Sequence, residues 1–155
     1  MVASFGIWGY AYSGQANRPL PDRLDESAFR NNAEIICQQA LEEIELVPGA
    51  AKASDPADRR AQIFETTARF EQMLVELEDI VSGSDRDRQI INDWLDDWRV
   101  VIDDRYRFAD AIIEDPDNAR YLQTDTGVGE RLDKRLTRLS LANNMPACGS
   151  PTDVG

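Results

Sequence analysis

The carboxylates between positions 93 and 110 are the densest set of groups in this chain with a spacing suited to chemistry. Asp93, Asp96, Asp97, Asp103, Asp104 and Asp110 recur at helical intervals, so Asp93 and Asp97, four apart, share a face. A carboxylate pair can act as general acid and base or hold a hard cation. Both uses need groups that converge in a protected site, and these lie opposite an apolar stripe. The expectation is a solvated acidic face, with Asp96–Arg99 and Asp103–Arg107 paired along its surface. Asp115-Pro116-Asp117-Asn118 opens like a calcium-binding loop. Its sixth position is Arg120 and its twelfth Thr126, where such a loop needs Gly and Glu, so a turn is expected. Gly127-Val128-Gly129 offers a Gly-x-Gly at a helix start, but no strand precedes it and a third glycine is missing. Asp125 and Glu130 would also repel a phosphate. No catalytic, metal-ligating or cofactor-binding residue and no cofactor is expected from these motifs.

The chain contains no histidine. That removes imidazole acid–base catalysis, Ser-His and Cys-His nucleophile pairs, His-ligated zinc and the Glu-x-x-His ligands of di-iron bundles. The two cysteines, Cys37 and Cys148, lack further soft ligands for zinc and do not form a Cys-x-x-Cys pair. The expectation is a disulfide that clamps the C-terminal tail to the first helix, which implies an oxidising compartment. Its geometry is demanding, because Cys37 falls mid-helix and Cys148 follows the last helix. Either the tail turns back after Pro146 or the two helices are offset.

Trp94 and Trp98, with Phe70 and Phe108, recur at helical spacing and read as core; the alternative is a ligand pocket. Arg131, Lys134, Arg135 and Arg138 make the last helix locally basic. They are expected to lie against acidic neighbours, with a partner or anionic-lipid site as the alternative. Trp94, Trp98, Arg131, Arg135 and Arg138 are thus the candidate ligand or partner contacts.

Four amphipathic stretches must position these groups. The first spans about 27–45 and is closed by Pro48-Gly49. The second spans about 55–81, with Pro56 inside its start. The third spans about 85–114, its two adjacent apolar stripes marking it as central. The fourth spans about 127–145, stopped by Pro146. No window alternates with period two. The pattern predicts an all-α, up-down-up-down four-helix bundle with a long central second hairpin that overhangs its partners. In that topology the domain's start, the turn at 82–84 and the C-terminus share one end, which would face a membrane. One domain suits 155 residues. The formal net charge of −12 disfavours duplex nucleic acid and charge-driven docking on anionic lipid.

Residues 1–12, MVASFGIWGYAY, are apolar and uncharged. They are too few to span a bilayer, which takes roughly 20 residues, but match the outer end of a spanning helix, with Trp8, Tyr10 and Tyr12 at headgroup level. A polar, proline-containing tether follows. The run Trp8-Gly9-Tyr10-Ala11-Tyr12-Ser13-Gly14, the Cys37 helix, Trp94-Leu95-Asp96-Asp97-Trp98-Arg99 and Asn144-Met145-Pro146-Ala147-Cys148 together resemble uncharacterised actinobacterial single-pass membrane proteins with an extracytoplasmic helical domain. The resemblance implies that architecture and carries over no activity and no site residue. Residues 1–24 are therefore expected to be a membrane-anchor remnant and tether, and 25–155 a four-helix extracytoplasmic domain at the cell membrane. The expected role is an interaction or structural module, not an enzyme. Its partners would be the membrane, through the N-terminal segment, and an unknown protein, with no nucleic acid. The alternative is a small-molecule or lipid-binding bundle with its cavity beside Trp94 and Trp98.

Overall fold

The computed structural model describes residues 22–125, 127 and 130–151. The expectations for residues 1–21, including Trp8 and the apolar run, fall outside them. The described residues are helical, with no strand: α1 (Ser27–Glu45), α2 (Pro56–Asp79), α3 (Asp85–Glu114) and α4 (Leu132–Ala142), plus 3-10 turns at Ala50–Lys52 and Pro146–Cys148. None of these helices is long and apolar enough to cross a membrane.

Local chemistry sets the starts of the first three helices. The Glu26 side chain accepts the Ala28 N–H of α1 at 2.7 Å and caps the helix. Asp55 accepts the Asp58 N–H at 2.8 Å and is followed by Pro56 at the first position of α2. Ser84 accepts the Asp87 N–H of α3 at 3.1 Å.

α4 departs from expectation at both ends. No side chain caps its start. Gly127, placed in this helix by pattern, has φ +73° and cannot continue a right-handed helix. The helix begins at Leu132, the first residue of the segment to be buried in the core. It ends at Ala142 because Asn144 takes φ +57°, and the Met145 N–H reaches back to the Ser140 carbonyl at 2.8 Å. That is a Schellman cap with Asn in the usual glycine place. The cap reverses the chain and lays Pro146–Cys148 onto α1, where the Ala147 N–H donates to Glu34 at 3.0 Å. Residues 146–151 then run back along α1 to Leu41 and Ile44. Residues 146–151 therefore lead away from the end that the C-terminus was expected to share with the domain's start.

Cross-helix bonds set the register. Arg69 meets Glu43 at 3.1 Å, the Tyr106 hydroxyl meets Glu71 at 2.9 Å, and Arg60 meets Asp110 at 2.8 Å. Across α3 and its C-terminal partner, Asp104 takes the Thr124 N–H at 2.7 Å and Asp97 takes Arg135 Nε at 2.9 Å. The main core gathers around Phe29, Phe70, Trp94, Trp98 and Leu136. At about 45 Å for α3 against roughly 28 Å for α1, the α2–α3 hairpin runs on past the end of α1. There Ile63, Phe108, Ala109 and Ile112 form a second small core, closed by Ala50 of the first 3-10 turn and by Ala119 and Tyr121. The overhang is thus covered by the chain's own connections.

Candidate functional site

Cys37 and Cys148 come together as the sequence predicts. Their Cα atoms are 5.2 Å apart, within the span of a disulfide, and both side chains are fully buried. The Schellman cap resolves the geometric difficulty by carrying Cys148 back to the middle of α1. Ser140 Oγ donates to the Cys148 carbonyl at 2.7 Å, which holds the last turn in place.

α3 carries the polar residues that a simple inside–outside reading assigns wrongly. Asp97 and Asp104, expected on the solvated face, are buried, as are Asp87 and Arg105. Asp104 binds Thr124 and Arg107; Arg107 chooses it over the expected Asp103. Arg105 donates to Thr67 Oγ1 at 2.9 Å and Thr66 Oγ1 at 2.7 Å, with its guanidinium 4.9 Å from the Phe70 ring centre. The signal was present. Asp87, Ile91, Trp94, Trp98, Val101, Arg105, Phe108 and Ile112 recur at alternating steps of four and three. That is the seam of a packed helix, and polar types at seam positions fix register.

Asp87 and Asn143 form a polar clamp where the described chain enters the fold. Asp87 accepts the Asp25 N–H at 3.2 Å and the Glu26 N–H at 3.0 Å. Asn143 accepts the Leu24 N–H at 2.8 Å and donates to the Asp22 carbonyl at 2.9 Å. Leu24, the last residue of the expected tether, is buried in the core.

A cleft of about 440 Å³ opens between α3 and α4. Ile90, Trp94 and Leu139 supply its apolar lining, and Asp93 and Asp96 stand at its exposed edge. Three of the five candidate contacts, Trp94, Arg135 and Arg138, meet here. Trp98 does not: it packs beneath, 6.5 Å from Trp94 and 5.4 Å from Phe70 between ring centres. Arg131 lies at a separate depression beside Thr124 and pairs with Asp133 at 3.1 Å. Both indoles are buried, Trp94 at 2% exposure and Trp98 at 1%, and neither indole N–H has an acceptor among the described residues.

The two arginines of α4 are answered by carboxylates. Arg135 grips Asp97 through two nitrogens, and Arg138 reaches Asp22 and Glu130. Burial pulls the Arg138 guanidinium down, but Glu130 and Asp22 outweigh it and hold it above its ordinary value. Across the helix Arg99 joins Glu78 to Asp96. Asp93 has no polar partner among the described residues. The segment 115–118 is a turn in which Asn118 Nδ2 donates to Asp115 at 3.1 Å. Among the described residues no group of three or more metal-ligating side chains is placed to hold an ion. Comparison with protein-family models, with curated proteins and with solved structures finds no match.

Proposed function

We propose that residues 25–155 form an extracytoplasmic helical interaction module in up-down-up-down order, held at the cell membrane by the apolar segment 1–12 and its tether. The observation that carries this reading is the buried Cys37–Cys148 pair, 111 positions apart in sequence. A pair placed so persists as a disulfide where thiols are oxidised, outside the cytoplasm of most cells. The clamp by Asp87 and Asn143, which holds residues 22–26 onto the fold, supports the reading that the domain begins there. Fractionation of cells making the full-length gene product tests the proposal, with thiol alkylation before and after reduction. Recovery in the membrane fraction with both cysteines blocked until reduced is expected; a soluble protein with two free thiols defeats it. The cleft beside Trp94 favours a second reading, a binding bundle for a small molecule or lipid. A lipid that co-purifies and is released by unfolding would promote it.

A further inference from the structure

We propose that the α3–α4 cleft docks a basic segment of a protein partner, with one lysine or arginine stem lying over the apolar lining and its cation beside Asp93 and Asp96. The inference rests on the interaction-module reading and names the partner's chemistry. Charge decides the sign of the occupant. The two arginines at the cleft are already answered by Asp97, Asp22 and Glu130, which leaves no unanswered cation there for an anionic headgroup or phosphate. The exposed charge at the edge is negative: Asp93 has no polar partner among the described residues, and Asp96, its side chain 70% exposed, shares Arg99 with Glu78. The net charge of −12 draws cations to the molecule as a whole. The lining decides the shape. Ile90, Trp94 and Leu139 form an apolar floor, which suits the methylene stem of a basic side chain and wastes the surface of a bare metal ion.

The test is an NMR titration of the full-length, nitrogen-15-labelled protein with acetyl-Ala-Arg-Leu-Arg-Ala-amide at low salt. Saturable shifts are expected at the amides of Ile90, Asp93 and Leu139 and at the Trp94 indole N–H. Asp93→Asn combined with Asp96→Asn should weaken binding about fivefold, the scale of two exposed charges, with the melting curve unchanged. Asp103→Asn combined with Asp117→Asn, acidic residues away from the cleft, should leave binding as it was. Shifts that never saturate overturn the proposal. So does equal weakening by both double variants, or equal binding of the Glu-for-Arg peptide. Because the titration is indifferent to the compartment, the cleft can fail while the tethered-module reading survives, and the reverse.

Discussion

Asp87, in the first turn of α3, joins that helix to two other pieces of chain: its N–H donates to Ser84 in the turn before α3, and its carboxylate holds the backbone entering α1. Its carboxylate satisfies the N–H groups of Asp25 and Glu26 while itself fully buried. Asp87→Ala leaves those two donors unpaired beside the core, at a cost of about 2–3 kcal/mol. Urea unfolding should show that loss, and hydrogen exchange should show Asp25 and Glu26 losing protection first. Unchanged protection there would mean the clamp is incidental. Tyr106 offers a pH readout at the same scale. Burial first, then its bond to Glu71 and that group's charge, push its hydroxyl up to about 12, against a smaller lowering by Arg105. The folded state therefore keeps the proton that the unfolded chain releases near its ordinary value of about 10. The resulting stability is fully present below about 10 and fades as pH rises toward about 12. Tyr106→Phe should remove this fade from the pH dependence of unfolding, together with the late phenolate absorbance step. At this scale the sequence was legible wherever residue type and position agreed. Cys37, Cys148, Trp94 and Trp98 are buried as their types suggest, and Asp96 meets Arg99. Asp97 and Asp104 escaped because polarity assigned them to solvent, and Asp87, Arg105 and Asn143 were not singled out at all. Their partners, Thr66, Thr67, Thr124, Arg135 and backbone N–H groups, are brought near only by folding.

Among the elements, α1 and α3 could be bounded from sequence because each combines a cap with an apolar stripe that stops where the helix stops. α4 could not, since Gly127 and Asn144, both inside the predicted span, take positive φ values that no stripe reveals. Leu132, Leu136 and Leu139 suffice for one packed face, so the residues predicted around them are free to serve as connection and cap. Asn144 decides where the tail goes. Asn144→Gly should be neutral or slightly stabilising, because glycine holds φ +57° without penalty. Asn144→Val forces a β-branched residue into the left-handed region and should cost roughly 1–2 kcal/mol. It should also slow re-formation of the Cys37–Cys148 bond after reduction, since the cap brings Cys148 to α1. Equal unfolding midpoints for the two variants would show that the cap does not guide the tail. At Gly83, φ +100° disfavours any side chain, and a Cβ there would lie only 3.0 Å from the Glu26 Cβ and 3.1 Å from the Asp87 Cβ. The turn between α2 and α3 is thereby pressed against the start of α1, which explains why the clamp forms there.

For the molecule as a whole, the tail takes the place that direct helix packing fills in a regular bundle. Pro146–Cys148 contacts both α1 and α4, and Met145 and Cys148 are fully buried in the main core. The Cys37–Cys148 link therefore closes nearly the whole described fold into one loop. Its loss should destabilise by roughly 4–5 kcal/mol in the chain-entropy picture for a loop of about 100 residues. Where both sulfurs are buried, a reductant can act only on an opened form, and the size of the opening can be measured. Cys148 cannot lift away from α1 while bonded to Cys37, so exposing the sulfurs means moving the tail turn and the middle of α1 off the core together. That breaks the Ser140–Cys148 contact to α4 and uncovers core side chains together. Such an opening exposes much surface, and its free energy should fall with denaturant almost as steeply as that of global unfolding. Reduction by an excess of small thiol should consequently be slow in buffer and accelerate steeply at urea concentrations well below the unfolding transition. The Asn144→Val variant should be reduced faster throughout. A reduction rate indifferent to low urea would mean that the tail frays locally and that the pair is reachable in the native state, which would remove the clamp from its place at the centre of the fold's stability.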